Sequence, residues 1–134
     1  SKDTVFLVEQ ARRRLARQIT SRICDENGTV RALTLDRSTE DLLRSTVGNS
    51  DGELALAPDV ETARRLIGAL EARAASLAAE GRPAVVLAPP DLRKPLFDFA
   101  SRFVPDLWVI SARELVPGTA VEPAGLVQLS QSVA

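Results

Sequence analysis

The sequence predicts an α/β fold, a small, mainly parallel sheet with packed helices, preceded by one long helix. Short apolar segments that suit strands alternate with amphipathic stretches that suit helices. Such alternation is typical of a parallel sheet covered by helices. The segment AVVLA at 84–88 is apolar throughout, as in a strand buried on both faces. The sequence leaves the order of the strands open.

The first element is a long amphipathic helix that begins at Asp3, which we assign as its N-cap, and ends near residue 24. Its apolar stripe consists of Val8, Ala11, Leu15, Ile19 and Ile23. We expect this stripe to be buried against the α/β body or against other parts of a longer protein. The segment DENG at 25–28 ends the helix, since Gly28 accommodates a positive φ.

A strand, a short helix and a loop are predicted next. TVRALTL at 29–35 predicts the strand, and Ser38 and Asp41 have capping spacing ahead of the helix. The apolar residues of this helix are Leu42, Leu43 and Val47. GNSDGE at 48–53 predicts a loop, and LALAP at 54–58 a short strand or an extended lead-in.

The longest regular stretch is a helix with Asp59 as its N-cap, continuing through Glu80. Gly81 and Pro83 end it, as glycine and proline commonly do. Its predicted apolar face comprises Val60, Ala63, Ile67, Leu70, Ala74 and Leu77.

The last third of the chain continues the alternation. A helix runs from the proline-rich loop at 89–95 to Phe103, with Asp91 as its cap and Pro95 early in the helix. LWVI at 107–110 is a strand, and Ser111 and Glu114 form a capping box. Residues 117–125 are predicted to be irregular, 126–129 to be a final strand and 130–134 a loose tail.

Composition excludes several classes of function. Lys+Arg 17 against Asp+Glu 18 argues against a nucleic-acid-binding protein. The absence of histidine excludes His-containing zinc sites and Ser-His-Asp triads. Cys24 is the only cysteine, so an internal disulfide is impossible and a reducing compartment is expected. Apolar runs are too short to span a bilayer. Because the chain has no Met, we interpret it as part of a longer protein.

Polar residues follow three predicted strands, at the edge where open α/β sheets bind ligands. Asp36, Asp91, Lys94 and Ser111 lie there, and acid, lysine and hydroxyl together suit a phosphoryl-transfer pocket. The alternative function is therefore a small phosphate-handling enzyme or receiver-like domain using Asp36, Asp91 and Lys94. Helix capping explains the same residues better, because each run precedes a helix and no glycine-rich loop is present. We expect no catalytic residues, no metal and no cofactor.

The first helix also carries a basic face, on which Arg13, Arg14 and Arg17 form a possible interaction surface. An anionic partner is one interpretation. A solvated helix face is a second, and it is favoured because the net charge of -1 supplies no supporting field. A third is that the arginines pair with acids elsewhere in a longer protein.

Two long stretches resemble the type III secretion export-gate family (FlhA/SctV-like, flagellar or virulence injectisome). The first, FLVEQARRRLARQITSRICDENGTVRALTLD, resembles a helix-turn-strand passage of these proteins. The second, from 81 to 127, resembles their last segment, with patterns xPxLRxxL, RFxPDLxVLSxxEL and VEPxGxV in that order. The matching residues include Leu92, Arg93, Pro105, Asp106 and Glu122. Pro95 departs from the family pattern inside the LRxxL helix.

The resemblance implies a non-enzymatic function in protein export. Residues 3–27 would be the end of a helical third subdomain, and residues 28–134 an α/β fourth subdomain. The parent protein would be held in the bacterial inner membrane by a preceding part, with this region on the cytoplasmic face. Its implied partners are the other subunits of an export-gate ring and secretion chaperones, substrates and gatekeeper proteins. The resemblance implies neither a cofactor nor nucleic-acid binding, and it does not separate flagellar from virulence systems.

Overall fold

Eleven elements follow one another in a computed structural model that describes residues 2–129. They are α1 (Lys2–Ile23), β1 (Val30–Leu35), α2 (Arg37–Ser45), β2 (Val47–Ser50), β3 (Glu53–Leu56), α3 (Val60–Ala79), β4 (Val85–Leu87), α4 (Pro90–Ala100), β5 (Trp108–Ile110), the 3-10 helix η1 (Ala112–Glu114) and β6 (Val121–Val127). The predicted α/β class is therefore confirmed. The predicted tail at 130–134 lies outside the described residues.

The sheet has the order β5-β4-β1-β6, and all three strand pairs are parallel. β1 and β4 occupy the interior, which explains why β4 is apolar throughout and why most of β1 is buried. Leu33, Val85 and Val86 are 0% exposed. One core cluster joins β1, α3 and α4, and a second joins the end of α1 to β1, β4 and β5.

The starts of α2 and α3 are capped by aspartates that directly precede them. The Asp36 carboxylate accepts from the backbone N–H of Thr39 at 3.3 Å, and Asp59 accepts from that of Thr62 at 2.7 Å. The Asp59 cap was predicted correctly. The predicted capping pair of Ser38 and Asp41 is wrong, because α2 already begins at residue 37.

The segment predicted to be a loop at 48–53 is mostly a β-hairpin. β2 and β3 pair antiparallel, and Val47, predicted to be helical, begins β2. Asp51 and Gly52 form the turn with φ values of 53° and 82°. An Asp-Gly pair accommodates two successive positive φ angles, which a tight two-residue hairpin requires.

The apolar face of α3 differs from the one predicted towards its N-terminal end. Leu66, Leu70 and Leu77 are its buried residues, whereas Val60 is 85% exposed. Val60 is the first residue of the helix, and only the later turns pack on the core. The helix type and bounds were predicted closely, but one end of the stripe was wrong.

α4 begins differently from the prediction. Pro89 occupies the N-cap position without a side-chain cap, so the assignment of Asp91 as the cap is wrong. Pro95 is the sixth helical residue, where its missing N–H removes one bond to the Asp91 carbonyl. The helix ends at Ala100, and Phe103 lies beyond it, with its ring 5.5 Å from that of Phe99.

The last strand is longer than predicted, because β6 begins at Val121 within the segment expected to be irregular. Pro123 is tolerated because β6 lies at the edge of the sheet. The pairing with β1 shifts register between Ala32 and Leu33, and Gly125 has a φ of +152° nearby. A Cβ on Gly125 would lie 3.3 Å from the Leu33 side chain, so glycine permits this close approach.

α1 contacts the α/β body only near its C-terminal end. Ile23 is 2% exposed, whereas Val8 and Leu15 are 47% and 55% exposed. The Thr20 hydroxyl oxygen accepts from the backbone N–H of Val116 at 3.1 Å and fixes this end. The expectation that the α/β body buries the whole stripe is therefore wrong, and burial against parts of a longer protein stays a prediction.

Candidate interaction surface

The residues predicted for a phosphate pocket each have a partner nearby. Asp36 caps α2 and also accepts from the Ser38 hydroxyl at 2.7 Å. Asp91 accepts from Arg44 Nε at 2.7 Å and from its terminal nitrogen at 3.2 Å, joining α4 to α2. Lys94 donates to Asp98 at 2.8 Å, one turn along α4. These contacts explain the three residues as structural, and of these three only Asp36 has the predicted capping role.

The charges of these groups agree with that interpretation. The Arg44 guanidinium lowers the pKa of Asp91 and itself has a raised pKa because of Asp91. Hydrogen bonding to Asp98 raises the pKa of Lys94. Among residues 2–129, no group of three or more His, Cys, Asp or Glu side chains is arranged to hold a metal ion.

The Asp36 cap predicts a pH dependence of stability. Hydrogen bonds from the side chains of Thr39 and Ser38 lower the pKa of Asp36 below its ordinary value of 3.8. The folded state therefore binds this proton less readily than the unfolded state, so the stabilisation is complete above pH 3.8 and is lost as the pH falls through the folded-state pKa. Asp36→Asn should flatten the acid decline in the free energy of unfolding, measured by denaturant titration down to about pH 2.5.

Asp106→Asn serves as the charge-matched control, because Asp106 is exposed and caps no helix. Its acid decline should follow that of the parent chain. An identical decline in both variants would contradict the role assigned to the cap.

The predicted interaction residues Arg13, Arg14 and Arg17 are all exposed on α1. None of the three makes an ion pair within the part of the chain that the structure describes. α1 carries six basic and two acidic side chains, whereas the whole chain has a net charge of -1. α1 thus carries an excess of four positive charges, and most of its side chains are exposed.

A groove separates α1 from the α/β body on its other side. One part, of about 390 Å³, is lined by Arg12, Leu15 and Arg113 among others. An adjoining part of about 520 Å³ runs along β5 and is lined by Phe97 and Trp108, and Ile19 borders both parts. Apolar walls with charged rims are typical of surfaces that bind another polypeptide.

An ion pair lies between the two parts of the groove. Arg93 Nε is 3.3 Å from a Glu114 carboxylate oxygen. The same carboxylate oxygen accepts from the backbone N–H of Ser111 at 2.9 Å, which completes the predicted capping box. Ser111 is 4% exposed and is held by this box. The pair therefore links α4 to η1 within the lining of the groove.

Sequence patterns did not predict the groove. Its walls come from α1, α4 and the β5–η1 segment, which are far apart along the chain. The apolar stripe of α1, the strand at 107–110 and the Ser111–Glu114 capping box were each predicted locally, but none of these signals indicated that they meet. Separately, no helix among residues 2–129 is long and apolar enough to cross a membrane.

The protein-family model of the FHIPEP family matches residues 1–120. Among curated proteins, the chain is 27% identical over 129 residues to the flagellar biosynthesis protein FlhA of Bacillus subtilis. This alignment covers 95% of the chain and 19% of the relative, so the chain spans about a fifth of the length of that protein.

Solved structures share the fold. The Chlamydia pneumoniae CdsV protein superposes with a TM-score of 0.72 and 25% identity, covering 96% of this chain and 36% of that one. The nonameric EPEC SctV-C, solved by cryo-EM, superposes with a TM-score of 0.68 and 24% identity, covering 95% and 38%. The matches extend over α1 as well as the sheet, so the arrangement of both is shared with these proteins.

Proposed function

The chain belongs to the FHIPEP family, the type III secretion export-gate proteins, and from this we propose that it is part of a ring-forming docking platform for chaperone–substrate complexes. The family match over residues 1–120 is the observation that carries the proposal. The protein described as nonameric EPEC SctV-C has the same fold, which supports the ring. We place the region on the cytoplasmic face of the bacterial inner membrane, in a non-catalytic role.

The proposed division into subdomains follows the contacts of α1. Residues 3–27 would end a helical subdomain, and residues 28–134 would form an α/β subdomain. α1 is anchored to the α/β body at Ile23 and through the bond from Val116 to Thr20, while the apolar side chains of its first turns are exposed. That arrangement supports a helix whose remaining apolar stripe belongs to a neighbouring unit of the full-length protein.

We assign Arg13, Arg14 and Arg17 to a contact with an acidic surface of a neighbouring subunit or of an export partner. Their exposure, their lack of acidic partners among residues 2–129 and the concentration of positive charge on α1 support this assignment. Arginine is enriched among the residues that dominate binding energy at interfaces. Charge complementarity of this kind sets orientation and association rate.

Reversing these charges should impair export. In the full-length protein, the triple variant Arg13→Glu, Arg14→Glu and Arg17→Glu should reduce secretion of export substrates on the order of tenfold, since a loss of about 1.4 kcal/mol of binding has that effect. Secretion into the culture medium is measured at matched protein levels. The three positions are exposed on one helix, so the fold should be retained.

A matched control separates this surface from a general effect of charge. Arg37→Glu, Arg73→Glu and Arg102→Glu change the charge equally at exposed positions outside α1. Secretion should then stay close to that of the parent. Equal losses in both triple variants, or none in the α1 variant, would refute the assignment.

A further inference from the structure

β5 is an edge strand whose backbone is paired on one side only. The backbone N–H of Trp108 donates to the Ala84 carbonyl at 2.9 Å, and that of Ala88 donates to the Ile110 carbonyl at 2.8 Å. With this parallel register, Trp108 and Ile110 direct their backbone groups towards β4. The intervening Val109 therefore directs its N–H and C=O away from β4, towards the groove.

These outward groups have no hydrogen-bond partner in the part of the chain that the structure describes. Val109 is 4% exposed, and neither its N–H nor its C=O makes a hydrogen bond outside the β4–β5 ladder among residues 2–129. The backbone N–H of Ser111, next along the same edge, is already occupied by Glu114. Buried backbone groups are nearly always paired in proteins, so an unpaired N–H and C=O at one residue indicate a position that another group fills.

The space beside Val109 suits an extended polypeptide. The groove part of about 520 Å³ is lined by all three residues of β5 and by Phe97. An extended segment added to a sheet edge gains main-chain hydrogen bonds, while neighbouring pockets receive its alternate side chains. A single outward-facing residue limits this contact to a short segment.

The charges around the groove favour an acidic segment. Arg12 and Arg113 are exposed at one end, and Arg93 stands between the two parts of the groove. Arg93 and Glu114 pair with each other and so offset one another. This leaves Arg12 and Arg113 against Asp106. Arg12 also lies 3.8 Å from Glu9, in an exposed pair of the kind that contributes little. A second copy of this chain fits poorly, because pairing two β5 edges would bring the arginines of both copies together.

We propose that the open edge of β5 binds a short, extended, acidic segment of a partner protein, which pairs with the N–H and C=O of Val109 and places carboxylates against Arg12 and Arg113. The site lies on the opposite side of α1 from the arginine face assigned above. The proposal is independent of the proposed export function, because binding of a peptide to this chain can be measured without any export activity.

The probe is a soluble ten-residue peptide of alternating valine and glutamate, titrated into the ¹⁵N-labelled chain and followed by NMR. The amide of Val109 should shift most and should become protected from hydrogen exchange on saturation. The amides of Trp108 and Ile110, already directed towards β4, should shift less. Shifts centred on Arg13, Arg14 and Arg17 instead would overturn the proposal.

Two altered peptides separate strand pairing from charge attraction. Replacing the backbone amides by esters keeps the side chains and removes the N–H donors, and we expect affinity to fall about tenfold or more. Replacing glutamate by lysine should weaken binding at least as much. If either altered peptide binds as tightly as the original, the proposal is overturned. It is also overturned if the original does not bind at millimolar concentration.

Arg113→Glu provides the test on the protein side. Arg113 is exposed, so the variant should fold normally, and its ¹⁵N spectrum verifies this. The acidic peptide should bind this variant several-fold more weakly, with the difference shrinking at high salt. Unchanged affinity would contradict the placement of carboxylates at this end of the groove.

Discussion

Replacing Leu33 with alanine should lower the free energy of unfolding by about 2–5 kcal/mol. Leu33 lies in β1, between β4 and β6, and is 0% exposed. Its side chain packs against the backbone of Gly125, so closely that a Cβ on that glycine would lie only 3.3 Å away. The substitution leaves a cavity, and the strands on both sides restrict the collapse of neighbouring atoms into it. The expected loss therefore lies well within this range. Urea unfolding monitored by circular dichroism measures it.

Leu54→Ala is the control for the same chemical change. Leu54 lies in the β2–β3 hairpin and is 61% exposed, so the expected loss is within about 0.5 kcal/mol. Comparable losses in the two variants would show that the sheet does not hold the main core.

Local patterns predicted most elements because their causes are local. Asp59 caps α3 through a residue three positions away, and the Ser111–Glu114 box closes over the same spacing. The strand at 85–87 was recognised because burial on both faces removes alternation. Each of these features depends on neighbours that can be read along the sequence.

The wrong predictions arise where contacts between distant parts of the chain determine the local structure. Pro123 and Gly125 signal irregular structure, yet the edge position of β6 and the close approach to Leu33 allow a strand. Asp91 has capping spacing, but it pairs with Arg44, which lies 47 positions earlier. Nothing in the local sequence indicates either outcome.

Of the surface features too, one follows from local spacing and the other depends on contacts between distant residues. Helical spacing alone placed Arg13, Arg14 and Arg17 on one exposed side of α1. The groove on the other side depends on how α1 meets the loop after η1, through the contact between Thr20 and Val116, 96 positions apart. Its open strand edge depends on the strand order, which the sequence left undetermined.

The attachment of α1 predicts very different effects for one substitution at two positions of its apolar stripe. Ile23→Asp should cost about 4 kcal/mol or more, because it places an unpaired carboxylate at a site that is 2% exposed. Ile23 packs in the second core cluster with Val30, Ile110 and Leu115. Leu15→Asp should cost less than about 0.5 kcal/mol in this chain, since Leu15 is 55% exposed.

Both variants are compared by urea unfolding of this chain and again in the full-length protein. In this chain, an equal cost at both positions would show that α1 lies against the α/β body along its whole length. In the full-length protein, Leu15→Asp should become destabilising, because the proposed helical subdomain would cover the stripe that α1 exposes here. If Leu15→Asp remains harmless there, the stripe has no intramolecular cover, and the proposed subdomain boundary after residue 27 loses its main support.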